Sequence, residues 1–168
     1  LHGPRAVGKV EGERSRFVGR RDQFRLAAGG RHGCTRQREA GDLDDAPVFG
    51  LISRLVEQKG IDCVLDAIPK IAAMGAKLVI LGNGNPAFER KLAELHQEFG
   101  GQVGIFIGFD ETKAHAIEAG SDFFLMPSRF EPCGLNQLIS MRYGTIPIVT
   151  GVGGLRDTVT ALGEGDNP

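Results

Sequence analysis

From residue 46 onward, short apolar runs alternate with longer stretches in which apolar residues recur every three or four positions. Short apolar runs bounded by turn residues predict buried strands, and the longer recurrence predicts amphipathic helices. The pattern repeats about five times with short connections, which predicts a doubly wound, mainly parallel α/β sheet with helices on both faces. This alternation limits the fold more than any single motif does.

The predicted strands cover residues 48–52, 77–81, 103–107, 122–126 and 145–149. The helix after the first strand begins near Ile61, and Gly75 is its predicted C-cap. Pro69 predicts a kink or an early break in that helix. Two short helices are expected over residues 138–143 and from about residue 156 onward, at the ends of the last two β-α units.

Glycine-rich or charged loops follow all the predicted strands, at residues 53–54, 82–84, 108–109, 128–134 and 151–154. The carboxyl ends of parallel strands meet at one edge of a sheet, and open α/β sheets bind ligands there. The loop after the fourth strand carries an arginine, a carboxylate, a proline and a glycine close together. The sequence therefore predicts a site at this edge, centred on residues 127–137.

Several residues of these loops have both a functional and a structural interpretation. Arg54 and Lys59 could face one anion at a helix start, or be two solvated surface cations. Glu131 precedes a proline, so it is either a helix-start residue or a carboxylate that hydrogen-bonds a polyol. Gly153 and Gly154 precede a helix and form a candidate oxyanion-binding turn.

Composition and spacing argue against other classes of function. The net charge is −1, which gives no indication of a nucleic-acid or membrane partner, and no apolar run approaches the ~20 residues that span a bilayer. No histidine or cysteine spacing is typical of a metal site, and Cys133 has no histidine in a partner position for nucleophilic catalysis. The glycines of residues 82–84 keep a nicotinamide site as a minor alternative.

Residues 1–45 differ from the remainder of the chain. They hold nine of the fourteen arginines, mixed with seven acidic residues, and show no sustained helical or strand period. We interpret them as a disordered or non-native lead-in, in preference to a nucleic-acid-binding arm or a transit peptide. Residues 46–168 are interpreted as one truncated domain.

In combination, the motifs of residues 46–160 resemble those of the starch and glycogen synthases. The resemblance rests on Ser53-Arg54-Leu55, on residues 58–62 (QKGID), on residues 127–135 (PSRFEPCGL), on residues 142–145 (RYGT) and on Gly153-Gly154-Leu155. Members of that family are retaining glucosyltransferases that extend α-1,4-glucan from a nucleotide-glucose donor, usually ADP-glucose. They have a GT-B fold of two doubly wound domains, and this chain resembles the C-terminal, donor-binding domain.

The resemblance implies roles for individual residues. Arg54 and Lys59 would stabilise the leaving diphosphate, Glu131 would contact the donor glucose, and Phe109 would lie against the adenine. Further substrate-binding roles are implied for Cys133, Gly134, Leu135, Asn136, Gln137, Gly153 and Gly154. Asn136 stands where the family usually has threonine or a small apolar residue. Ile139 stands where related glucosyltransferases often have a second glutamate, which favours the synthases.

The resemblance also implies the partners and the setting. These are an ADP-glucose donor, an α-glucan acceptor and an N-terminal GT-B domain that this chain lacks, with no cofactor or metal. The expected compartment is a bacterial cytoplasm or a plastid stroma, and the chain alone is expected to have little transferase activity. The alternatives are a non-catalytic nucleotide- or glucan-binding module and another retaining GT-B enzyme with a different donor.

Overall fold

The computed structural model describes residues 16–18 and 46–161. Its sheet has six strands in the order β1-β4-β3-β2-β5-β6. Strands β2 to β6 are parallel, and β1 pairs antiparallel with β4. The strands are β1 (Arg16–Val18), β2 (Val48–Ile52), β3 (Lys77–Gly82), β4 (Val103–Ile107), β5 (Phe123–Met126) and β6 (Ile146–Val149). The predicted mainly parallel α/β sheet is confirmed.

Five helices connect or follow the parallel strands: α1 (Ile61–Ala73), α2 (Pro86–Glu98), α3 (Glu111–Gly120), α4 (Asn136–Arg142) and α5 (Gly153–Thr158). The predicted strands agree with the observed ones to within one residue at each end. Helix α1 continues through Pro69, so an early break at this proline is wrong. Helices α4 and α5 begin at Asn136 and Gly153, a few residues before their predicted starts.

The core lies on both faces of the sheet because successive strand residues point in opposite directions. In β3, Leu78 and Ile80 join a cluster that includes residues of α1 and α2. Their neighbours Val79 and Leu81 join a second cluster, which includes Ile117 of α3. All four of these strand residues are buried, as expected for a parallel strand covered by helices on both sides.

The strand order determines where a binding crevice lies at the edge of the sheet. Strand β2 pairs with β3 on one side and with β5 on the other, so the chain crosses the sheet between β4 and β5. At such a switch point the loops that follow the two neighbouring strands diverge and leave a crevice. The loops after β2 and β5 are the ones that carry Arg54, Lys59 and Glu131.

The interpretation of residues 1–45 falls outside the described residues, apart from the backbone of β1. Residues 162–168, at the end of the predicted 46–168 domain, also lie outside them. Within residues 16–18 and 46–161, no helix is long and apolar enough to cross a membrane.

The two-sided core predicts that alanine substitution of two isoleucines in the same sheet lowers the free energy of unfolding by very different amounts. Ile80 in central β3 is 1% exposed, whereas Ile146 in edge strand β6 is 51% exposed. We expect Ile80→Ala to lower the free energy of unfolding by about 3 kcal/mol. For Ile146→Ala we expect a loss of about 1 kcal/mol or less, because little buried volume is removed. Urea denaturation of both variants tests this, and equal losses would contradict the layered core.

Candidate functional site

A cavity of about 380 Å³ lies at the carboxyl edge of the sheet, between the loops that follow β2 and β5. Its walls come from the ends of both strands, from the two loops and from the start of α4. The lining residues are Leu51, Ile52, Ser53, Arg54, Lys59, Leu125, Met126, Pro127, Ser128, Glu131, Gly134, Leu135 and Asn136. This is the edge at which the sequence predicts a site.

A 3-10 turn, Glu57–Lys59, leads from the first loop into α1 and ends at Gly60. Gly60 has a φ of +67°, in the left-handed region that favours glycine. A Cβ atom at this position would lie 2.0 Å from the carbonyl oxygen of Pro127, which is too close for any other residue. The glycine therefore allows the turn that carries Lys59 to press against the loop that carries Glu131.

Lys59 and Glu131 form an ion pair across this contact, between the lysine Nζ and the carboxylate Oε2. Glu131 is only 8% exposed, and the Ser128 hydroxyl also donates to Oε2, at 3.2 Å. A buried carboxylate is costly unless it is paired and hydrogen-bonded, and here it is both. The pair fixes one cation and one carboxylate beside each other in the cavity wall.

The same two segments are joined by further contacts outside the cavity. Arg129 donates from both terminal nitrogens to the two carboxylate oxygens of Asp62, at 2.6 and 2.5 Å. Its backbone N–H donates to the carbonyl of Gln58 at 2.8 Å, and the Gln58 amide donates to the Phe130 carbonyl at 3.1 Å. The hydrogen-bonded guanidinium lowers the pKa of Asp62 to about 2, so this carboxyl is ionised at neutral pH.

The start of α5 supports the Glu131 loop from behind. A Cβ at Gly153 would lie 2.1 Å from the carbonyl oxygen of Glu131, so the backbones are in direct contact. The N–H of Gly154 donates to the carbonyls of Glu131 and Pro132, at 3.0 and 3.2 Å. Since this N–H already binds protein carbonyls, Gly154 acts here as a support for the loop, while oxyanion binding by the turn stays a prediction.

Six of the predicted site residues line the cavity: Arg54, Lys59, Glu131, Gly134, Leu135 and Asn136. Arg54 is exposed at the end of the first loop. The Asn136 amide donates to the carbonyl of Ile52 at 3.1 Å, which ties the start of α4 to the end of β2. Because α4 begins at Asn136, well after Glu131, the interpretation of Glu131 as a helix-start residue is wrong.

The structure does not bring the other predicted residues to the cavity wall. Gln137 is fully buried, and its amide nitrogen donates to the carbonyls of Cys133 and Gly134 and to the Thr158 hydroxyl. Its Oε1 is a buried polar atom with no hydrogen-bond partner among the described residues. Phe109 follows β4 and is 81% exposed, and the Cys133 thiol is also exposed. For these residues the substrate-binding roles stay predictions.

Sequence reasoning missed the residues that hold the site together. Ser128 and Arg129 lie in the predicted loop, but nothing in their spacing indicates that one binds Glu131 and the other Asp62. Thr150 comes from the loop after β6, and its hydroxyl donates to the Ser128 carbonyl. The Arg129–Asp62 and Thr150–Ser128 contacts join segments 67 and 22 residues apart in the chain, so only the tertiary structure reveals them.

The geometry limits what the cavity can bind. Two cations, Arg54 and Lys59, both line the cavity, and the apolar side chains of Leu51, Leu125 and Met126 lie at the strand ends. Cations of this kind suit phosphate groups, and a fixed carboxylate such as Glu131 accepts hydrogen bonds from hydroxyl groups. A ligand with an anionic part and a polyol part matches this arrangement.

Comparisons with known proteins agree with a site for a ligand that has an anionic part and a polyol part. The glycogen synthase of Anaeromyxobacter dehalogenans (strain 2CP-C) is 57% identical over 125 residues, which cover 73% of this chain and 26% of that protein. The glycogen synthase of Halorhodospira halophila is 57% identical over 115 residues, covering 68% and 24%. Among solved structures, the catalytic domain of starch synthase IV from Arabidopsis thaliana, bound to ADP and acarbose, has a TM-score of 0.68 at 40% identity. That match covers 73% of this chain and 26% of the other.

The sheet, its helices and the cavity at its edge thus correspond to one Rossmann-like half of a GT-B glycosyltransferase. Residues 46–166 match the family described as glycosyl transferases group 1, and the chain belongs to that family. The chain spans about a quarter of the length of the glycogen synthases that it matches.

Two glycines with the same backbone conformation test the contact between the two loops. Gly60 and Gly75 have φ values of +67° and +72°, but a Cβ at Gly75 meets nothing within 4 Å. We expect Gly75→Ala to cost about 1 kcal/mol of unfolding free energy, from the left-handed backbone alone. Gly60→Ala should cost about 2 kcal/mol more, because the Pro127 carbonyl must move.

Urea denaturation of the two alanine variants separates these contributions. Equal losses for Gly60→Ala and Gly75→Ala would show that the close approach to Pro127 does not hold in solution.

Proposed function

We propose that residues 46–161 form the donor-binding half of a glucosyltransferase of the glycogen and starch synthase type. The complete enzyme would transfer glucose from ADP-glucose to the non-reducing end of an α-1,4-glucan, with retention of the anomeric configuration. The observation that carries the proposal is the Lys59–Glu131 pair on the cavity wall, with Arg54 on the same cavity. The identity to bacterial glycogen synthases supports it.

In the proposed reaction, Arg54 and Lys59 neutralise the negative charge that develops on the diphosphate as it leaves. Fixed cations stabilise such charge most when they need not reorganise during the reaction. Lys59 is only 19% exposed at its side chain and is held by Glu131, so its position is set before the donor binds. Arg54 is exposed and can approach the phosphates from the solvent side.

Glu131 is proposed to orient the donor glucose. Among the described residues, Lys59 and Ser128 both contact its Oε2, which leaves Oε1 to accept a hydrogen bond from a sugar hydroxyl. The Gly154 N–H donates to the backbone carbonyl of Glu131. A carboxylate fixed at both its backbone and its side chain suits the precise positioning that group transfer requires.

The nucleotide and the acceptor need further groups. Phe109 is proposed to stack on the adenine, and its 81% exposure leaves the ring accessible to a base. The α-glucan acceptor is proposed to bind between this half and an N-terminal GT-B domain. The bound ADP and acarbose of the starch synthase IV structure support an adenine nucleotide and a glucan-like ligand. We propose a bacterial cytoplasm as the compartment, given the bacterial relatives.

Binding to this chain distinguishes the proposed donor from its competitors. We expect isothermal titration calorimetry to show ADP-glucose binding at least about tenfold more tightly than UDP-glucose, because the base contact differs. Phe109→Ala should weaken ADP-glucose binding and reduce that ratio. Tighter binding of UDP-glucose would indicate a retaining GT-B enzyme with another donor, and absence of binding by either would overturn the donor-site proposal.

Transfer activity tests the roles of the three charged residues in the full-length protein that contains this segment. We expect Arg54→Ala, Lys59→Ala and Glu131→Ala each to lower kcat/KM for ADP-glucose by about 10²-fold, since each removes a group that acts on the transition state. Radiolabelled glucose incorporation into glycogen measures this, and Lys91→Ala on the exposed face of α2 serves as the control.

Near-complete activity in all three variants would refute the assignment of these residues. If the unsubstituted full-length protein bound ADP-glucose without any incorporation, a non-catalytic binding module would be the better description.

A further inference from the structure

We propose that Asp62 and Arg129 form a positioning clamp that sets Lys59 and Glu131 at the separation that donor binding requires. The inference rests on the proposed function, because it assigns the clamp to the donor site. Neither residue lines the cavity, so the pair acts through its neighbours and not on the ligand itself.

The clamp joins two segments that are far apart in the chain. Both terminal nitrogens of Arg129 bind the two oxygens of Asp62, and the Nη1 atom also donates to the Glu57 carbonyl at 2.8 Å. A planar guanidinium bound to a carboxylate at two points fixes orientation as well as distance. The clamp therefore defines how the Glu57–Lys59 turn lies against the loop after β5.

The two candidate site residues lie within three residues of the clamp. Lys59 precedes Asp62 on one segment, and Glu131 follows Arg129 on the other, so a change in the clamp moves both. The backbone N–H of Arg129 also donates to the carbonyl of Gln58, which joins the same two segments. Displacements of about 1 Å are enough to impair a site that depends on exact placement of its groups.

A purely stabilising role explains the arrangement less well. Asp62 and Arg129 have side chains that are 42% and 47% exposed, and exposed ion pairs contribute little to stability. By contrast, Lys91 and Glu94 form an ordinary exposed pair within one helix, with a single contact of 3.1 Å. The Asp62–Arg129 pair differs in having two parallel bonds and in joining separate segments.

Calorimetry on the chain tests the clamp with three variants: Asp62→Asn, Arg129→Gln and the double variant. We expect each single substitution to raise the Kd for ADP-glucose by about fivefold, the size of coupling that residues in contact show. The double variant should bind no more weakly than Arg129→Gln alone, because both substitutions remove the same interaction. Lys91→Ala and Glu94→Gln are the matched controls and should leave Kd unchanged.

A role in stability alone predicts a different result. It would lower the melting temperature while leaving Kd unchanged when binding is measured well below that temperature. Unchanged Kd values in both single variants, or strictly additive losses in the double variant, would overturn the clamp.

Hydrogen exchange gives a second readout that does not need a ligand. The amide of Arg129 donates to Gln58, and we expect its protection to fall at least about tenfold in Asp62→Asn, since local opening there becomes easier. Leu78 lies at the start of core strand β3, and its amide donates to the Gln102 carbonyl. This amide should keep its protection.

If the unsubstituted chain did not bind ADP-glucose, the proposed function would fail. The exchange result would still decide whether Asp62 and Arg129 hold the two segments together, and undiminished protection at Arg129 would overturn the clamp.

Discussion

The ion pair between Lys59 and Glu131 is the interaction on which the candidate site depends. A carboxylate that is nearly buried needs a cation and hydrogen bonds, and both come from the two loops at the switch point of the sheet. The strand order makes β2 and β5 neighbours, and the absence of a side chain at Gly60 allows the loops to touch. The sheet topology therefore positions two charges that are 72 residues apart in the chain.

Much of this arrangement could be predicted from the sequence. The five parallel strands are short apolar runs bounded by glycine and polar residues, so their limits follow from the pattern, whereas β1 was not predicted. Parallel strands place all their following loops at one edge, which is why Arg54, Lys59 and Glu131 could be expected near one another. The direct contact between Lys59 and Glu131 could not be predicted, because it depends on the side-chain directions of residues in different loops.

The sequence was misleading where tertiary contacts override local preferences. Gly153 and Gly154 are poor helix formers, which hid the start of α5, yet they begin that helix because the Glu131 loop packs against them. Similarly, the resemblance implies a substrate-binding role for Gln137 at the start of α4, but its amide nitrogen donates to two loop carbonyls in the interior. In both cases a loop backbone lies where the sequence pattern indicates solvent or ligand.

We propose that a nucleotide-sugar donor binds beside the Lys59–Glu131 pair. Chemical-shift mapping of the isotopically labelled chain during titration with ADP-glucose tests it most directly. We expect the largest changes on the amides of residues 53–60 and 127–136, around the cavity, while amides at the opposite edge of the sheet stay unchanged. Changes centred elsewhere, with residues 53–60 and 127–136 unaffected, would contradict it.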